Sequence, residues 1–447
     1  MDTPTKQPNR QARPKLWTPI FILIVGLALC CFVTGQGLNA GTSVYIDRLG
    51  GTATYSGLLA TVFSVAAAIT RLACGPLVDS KGRAITITIG AAFLVVGTAG
   101  PVVFDNASAF IVYRFLQGIG FSAVTTAAAT AAADVLPYSR LGEGIGYYGL
   151  GQALAMSVGP ALALFLVASD APNNLYIGLT CISVIVLILS LFCRYERKPE
   201  SLPETSVYRM RREAQDSETQ AETAKAAEHS TEGAAVDVSG GTPAEQVPSL
   251  EAEPEPKGFA RLFERRALPG ALPMTILSPA FGFGIFFVGL FGTSIGIDNA
   301  GLFFTLSAVS MIAVRLKSNS YMDRVAPIKV FAVAVACGVV AYLLLLASET
   351  SSVFYYIAGL FYGMCLGISM PINQSVAVKN TPAERWGAAN ALYMLATDVG
   401  VGVASVIWGA INDSFGFTTT ICCVIVCIVL SFAVAWAVYP KEAKRSR

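Results

Sequence analysis

The chain has 447 residues, of which 54% are hydrophobic and 13% charged, against about a quarter charged in an ordinary soluble domain. Such a composition excludes a soluble globular protein and points to a membrane protein with many spans. A formal net charge of +2 implies no basic surface for nucleic acid. The single histidine, His229, excludes His triads and His-rich metal sites. The ten cysteines fall in or at the ends of apolar runs and read as packing residues. No cofactor motif is found.

A helix needs about 20 apolar residues to cross the hydrocarbon core. Twelve stretches qualify, about 16–38, 54–77, 84–104, 108–132, 144–168, 174–193, 268–292, 299–320, 328–347, 351–377, 386–411 and 417–438. None alternates as barrel strands do, so the predicted class is all-α with twelve transmembrane helices. Nearly all of the Lys and Arg lie at the two termini, in the central gap or after even-numbered spans, with Arg48 alone on the other side and Arg71, Arg114 and Arg315 inside spans. The positive-inside rule then places both termini in the cytoplasm, 1–15 and 441–447, with the protein in the cell membrane. A first six-span bundle covers 16–194 and a second 259–440. Between them, 195–258 is acidic and poor in apolar residues, which predicts a disordered cytoplasmic linker. Phe259, Leu262 and Phe263 alternate with Arg261, Arg265 and Arg266, the pattern of a short interfacial helix leading into span 7.

The two halves repeat. Arg71 and Asp79 at the end of span 2 match Arg315 and Asp323 at the end of span 8, while Pro137, Arg140 and Gly142 match Pro382, Arg385 and Gly387. Six spans per repeat make the repeats parallel, an arrangement that places a site at the midplane between them.

These residues resemble the major facilitator superfamily of secondary transporters, in particular its twelve-span proton-coupled efflux members, over all twelve spans. Gly75, Leu77, Asp79, Gly82 and Arg83 look like the family's loop 2-3 signature. By that resemblance they gate the cytoplasmic face, with Asp134 at the end of span 4 as a partner for Arg83 and the repeated Arg71, Arg315 and Asp323 in the same role. Arg114, Gln117, Gly118 and Gly120 resemble the span 4 signature associated with proton transfer. An arginine at that depth must face protein or water, and a structural arginine bonded to helix carbonyls is the competing reading. The span 5 antiporter signature is partial: Gly159 and Pro160 are present, but Leu162, Ala163 and Leu164 follow in place of a Gly pair.

Asp398 is the one carboxylate deep within a span, about 18 Å from the start of span 11 at 1.5 Å per residue. A charge there is expensive to keep, which makes it the candidate proton-coupling or cation-recognition group, with Arg114 setting the local charge. Gly400 and Gly402 beside it leave room for water or a neighbouring backbone. The competing reading is a hydrogen-bonded Asp398 that fixes helix contacts. By family analogy the cavity residues are Gln36, Asn39, Gln117, Thr126, Tyr147, Tyr148, Gln152, Phe281, Phe283, Tyr362, Asn373 and Gln374, polar or aromatic enough to touch an amphipathic solute.

The expected function is alternating-access transport of a small organic solute, by proton-coupled efflux with uptake symport as the alternative. The expected partners are a small-molecule substrate, protons and membrane lipid, with the chain monomeric. No nucleophile, metal ligand set or phosphate loop suggests an enzyme.

Overall fold

The computed structural model describes residues 14–213, 264–318, 325–381 and 386–439, apart from 105, 138, 139, 169, 170, 198, 203, 207 and 211. Six helices form the first half: α1 (Pro19–Arg48), α2 (Ala53–Lys81), α3 (Arg83–Val103), α4 (Ala107–Val135), α5 (Leu141–Val167) and α6 (Asn174–Phe192). In the second half, α7 (Leu268–Phe286) continues past Phe287 as Val288–Ser294 and is followed by α8 (Gly301–Ser318), α9 (Pro327–Ala347) and α10 (Ser352–Lys379). A last helical run, Trp386–Val438, is broken where Gly416 takes φ 80 and ψ 173, a left-handed conformation that glycine adopts without strain. The break divides it into α11 (386–415) and α12 (417–438). Among the described residues the regular structure is helical, with an isolated bridge between Pro137 and Ser206. Among the described residues twelve helices thus occupy the twelve apolar stretches, and the chain is an all-α membrane protein.

Local chemistry sets the helix starts. Thr18 and Thr52 accept from the backbone N–H groups of Phe21 and Tyr55, satisfying donors that the first helical turn leaves unpaired. Proline stands in the opening turn of α1, α7 and α9, where its missing N–H is not needed. The first helix runs ten residues beyond the apolar stretch expected to end near 38. Its small and polar continuation is held by other helices: the Thr42 and Tyr176 hydroxyls are 3.1 Å apart, and Tyr45 donates to Asn173 Oδ1 at 2.6 Å.

The halves are built alike. As α4 packs on α2 and α3, so α10 packs on α8 and α9; as α1 packs on α5 and α6, so α7 packs on the α11–α12 run. One contact is reproduced atom for atom. A side chain at Gly118 on α4 would overlap the Phe63 carbonyl of α2, and one at the matching Gly363 on α10 would overlap the Ser307 carbonyl of α8. Small residues at these crossings let helix backbones touch where no hydrophobic force drives association.

Across the middle, α2 packs on α11 and α5 packs on α8. The face at which α1 begins and α12 ends is called the terminal face below, and the opposite one the distal face. The described part of the linker does not begin as an unstructured tether. Tyr195–Arg197 and Pro199–Ser201 form short turns, and Ser206 bridges to Pro137, so ordered chain continues past 194 along the terminal face. The predicted lead-in residues Phe259, Arg261, Leu262 and Phe263 lie outside the described residues, while Arg265–Ala267 form a short turn at the start of α7.

Candidate functional site

The seam between the halves has two flanks. On the first, α2 meets α11 along most of its length. At the distal end Asp413 accepts from the backbone N–H groups of Ala53 at 3.0 Å and Thr54 at 2.7 Å, so a carboxylate of one half caps a helix of the other, where the helix dipole favours negative charge. Deeper, Thr61 donates to the Gly402 carbonyl at 2.5 Å. Deeper still, Arg71 Nε meets Asp398 Oδ2 at 3.0 Å. This pair joins α2 to α11 near the middle of α11. Its side chains are 20% and 26% exposed, so it opens onto the seam instead of being sealed in packing. Gly400 and Gly402 sit against Ser278 of α7 and Ser64 of α2, so the space beside Asp398 is taken by neighbouring helices.

On the second flank, Ser157 of α5 donates to the Phe304 carbonyl of α8 at 2.7 Å, and Gly301 lies against Ala161. Arg315 Nη1 points to the Gly149 carbonyl at 3.5 Å. A small pocket lined by Met156, Ser157, Ile285, Phe304, Ser307, Ala308, Met311, Tyr362 and Leu366 lies at this flank. The bonds of Asp413, Thr61 and Ser157 all cross between the halves on the distal side of those of Arg71 and Arg315. The seam is therefore pinned shut at the distal face.

Arg114 occupies a different place from the one expected. It is 1% exposed, donating to Leu59 O at 3.2 Å, Gln117 Oε1 at 3.1 Å and Asn39 Oδ1 at 2.9 Å, with its guanidinium 4.6 Å from the Phe63 ring centroid. Gln117 in turn donates to Gly97 O at 2.8 Å. This network ties α1, α2, α3 and α4 together inside the first half, and it is Arg71, not Arg114, that the fold brings to Asp398. Asn39 and Gln117, expected in the cavity, are consumed by the same network.

Other expected cavity residues also serve packing within one half. Asn373 donates to Ser369 O and accepts from Tyr439 OH at 3.0 Å. Phe283 is buried against Phe287 and Tyr342. Phe281 packs edge-on against Tyr362, which lines the small pocket. Tyr148 is buried with its hydroxyl on Thr125 O, and the exposed Tyr147 stacks on Trp17. Thr126 lies 3.5 Å from Arg71 Nη1, beside the charged pair. Gln36 keeps a buried Oε1 without a hydrogen-bond partner. Gln152 and Gln374 are half-buried.

At the terminal face, Arg83 Nε meets Asp134 Oδ2 at 2.9 Å, the pairing that the family resemblance implied. Two neighbours were not legible in advance. Glu196 accepts from the backbone N–H groups of Arg83 at 2.8 Å and Ala84 at 3.0 Å, capping α3, and Tyr195 OH donates to Asp134 at 3.3 Å. Gly82, with φ 92, lies directly against the Glu196 carboxylate. Gly75 and Asp79 belong to α2, but their side-chain positions lie outside the description, as does Asp323 altogether. Asp413, Thr61 and Ser157 were missed as well. The sequence signal for Asp413 was a carboxylate two residues beyond the predicted end of span 11, in the short connection to span 12.

A family model described as Major Facilitator Superfamily matches residues 22–384 and, in a second match, 258–447. Over 425 residues the chain is 22% identical to a protein named staphylopine export protein from Staphylococcus aureus, covering 92% of this chain and 95% of that one. Among solved structures, a D-xylose-proton symporter superimposes with a TM-score of 0.70 at 14% identity, over 96% of this chain and 99% of that chain. An inward-facing bacterial homologue of the human lysosomal transporter Spinster gives 0.66 at 12% identity, over 95% and 98%.

Proposed function

The chain belongs to the Major Facilitator Superfamily, and on that premise we propose that it moves a small organic solute across the cell membrane by proton-coupled alternating access, in the direction of export. Transport, not catalysis, follows from the family. The finer reading rests on one observation: a partly exposed Arg71–Asp398 pair bridges the two halves at the middle of the seam. An ion pair within the membrane loses its mutual attraction, and leaves the remaining charge uncompensated, when one partner is neutralised. Protonation of Asp398 removes the attraction to Arg71 and loosens α2 from α11; deprotonation restores it. The proton thereby biases the equilibrium between two packings of the halves, which is what coupling requires.

The terminal face is read as cytoplasmic from the distribution of Lys and Arg, and the closed distal face supports reading this arrangement as inward-facing. Gln36, Thr126, Gln152, Tyr362 and Gln374 remain the proposed solute contacts. Arg83, Asp134 and the loop carrying Gly75, Asp79 and Gly82 are the proposed cytoplasmic gate. The protein acts as a monomer. Export is favoured by the likeness to a named export protein along nearly the whole chain. Uptake symport has its own support in the same pair: protonating Asp398 releases Arg71 to take an anionic solute, so that proton and solute would travel together.

The test is flux in proteoliposomes under an imposed pH gradient, run against a solute panel. Asp398→Asn is expected to abolish gradient-driven flux while inserting into the membrane normally. Unchanged coupled flux in that variant defeats the assignment. Movement of solute and proton in opposite directions supports export, and movement together supports symport.

A further inference from the structure

We infer that the solute is a small zwitterion, whose carboxylate replaces Asp398 on Arg71 and whose protonated amine replaces Arg71 on Asp398. The inference deepens the function proposed above and rests on its reading of the seam as the transport path.

The Arg71–Asp398 contact is end-on and incomplete. One nitrogen, Nε, meets one oxygen, Oδ2, at 3.0 Å, and Nη1 has only Thr126 at 3.5 Å. A guanidinium can hold a carboxylate by two parallel bonds, so Arg71 retains donor capacity toward the seam. Both side chains are partly open to it. Titratable groups beside Arg71 include Cys74 of α2 and Tyr148 of α5, thiol and phenol groups that are uncharged at neutral pH. Arg315 is a further cation on the other flank, at the Gly149 carbonyl of α5 and beside Tyr393 of α11, so Arg71 and Asp398 are the opposite charges that meet across the first flank.

Four kinds of solute meet that pattern differently. A neutral solute leaves the pair intact, and with it the direct bond between α2 and α11. Unless a proton enters with it, as in the symport alternative, a monoanion takes Arg71 and strands an ionised Asp398; a monocation takes Asp398 and strands Arg71. Each leaves an uncompensated charge deep in the membrane, the costly outcome. A zwitterion satisfies both ends by exchange, with no change in net charge, and substitutes a solute bridge for the direct contact between halves. Because its amine requires an ionised Asp398, it excludes the proton from that carboxylate. Solute and proton then alternate at one group, which is the binding rule of an exchanger.

The probes are zwitterionic amino acids and dipeptides, each beside its N-acetyl derivative, a monoanion, and its methyl ester, a monocation. Binding to the purified full-length protein is followed by calorimetry. For members that bind, either blocked form is expected to bind at least tenfold more weakly. Asp398→Asn is expected to shift preference toward the N-acetyl anion, Arg71→Gln toward the ester, and the double variant to show neither preference while keeping the wild-type elution profile. A panel in which no zwitterion binds, or in which blocked forms bind the wild-type protein equally well, overturns the inference without appeal to any variant. Zwitterion preference without pH-gradient-driven flux upholds this inference and refutes the proton-coupling assignment instead.

Discussion

The two flanks of the seam descend from one repeated unit and have been equipped differently. Gly57 on α2 lies against Ser405 and Val406 of α11, and its repeat mate Gly301 on α8 lies against Ala161 of α5. Thr61 bonds across the first flank and Ser157 across the second. Arg71 and Arg315 are likewise mates. The carboxylates are not shared. The repeat offset that relates Pro382 to Pro137 carries Asp398 onto Ala153 and Asp413 onto Ala168. Both acids that α11 presents to α2 are thus alanines where α5 meets α8. The carboxylate proposed to take the proton stands on one flank, and the other offers a contact of small residues and carbonyls with Arg315 at the Gly149 carbonyl.

Arg71→Gln puts the largest strain on this comparison. It strands Asp398, at a penalty below the about 3–5 kcal/mol of a fully buried pair because both side chains are partly exposed, and chemical unfolding of the purified protein should register it. The double change Arg71→Gln with Asp398→Asn should recover most of that loss, whereas Arg315→Gln, which has Ala153 at the position equivalent to Asp398, should show no such rescue by any change at 153.

A smaller effect is expected from side chains forced into the glycine crossings. Gly57→Val meets a backbone carbonyl and should destabilise the distal-closed arrangement by about 1–3 kcal/mol. Gly301→Val meets Ala161 at a looser approach, 3.2 Å, and should do so by less. Accessibility of distal-face cysteines to a membrane-impermeant reagent, in a background stripped of native thiols, checks the order. Equal effects at the two sites would remove the claim that the first flank is the tighter seal.

Least is expected from the hydrogen bonds. Asp413→Ala removes a cap worth about 1 kcal/mol, and Ser157→Ala removes one interhelical bond worth about 0.6 kcal/mol in a membrane setting. In both, distal accessibility should rise, more for Asp413→Ala. A larger rise for Ser157→Ala would reverse the ranking of the flanks.

Hydrophobic length and the basic loops carried the fold, because the bilayer imposes both. Asp398 stood out for its depth, and Arg83 with Asp134 through family resemblance. Arg71 was noticed for the repeated motif and assigned to the gate, but its pairing with Asp398 was not read, since no pattern along the chain encodes the separation between α2 and α11, and the long arginine side chain reaches across the seam instead of remaining with the motif that drew notice to it. Asn39, Gln117 and Asn373 misled for a related reason. A polar group within a span needs a hydrogen-bond partner whether or not a solute is present, so polarity alone does not separate cavity from packing. Glu196 was hidden by its setting in a polar stretch, where nothing in composition shows that it finishes α3.

The connection at Gly416 carries a mechanical implication. One residue separates α11, which holds both acids of the charged flank, from α12, whose Val426, Val429, Leu430 and Trp436 face outward. With no loop to absorb slack, a tilt of α12 in a thinner or thicker bilayer is handed directly to its neighbour. Lipid thickness thereby becomes an input to the Arg71–Asp398 bond that α11 carries.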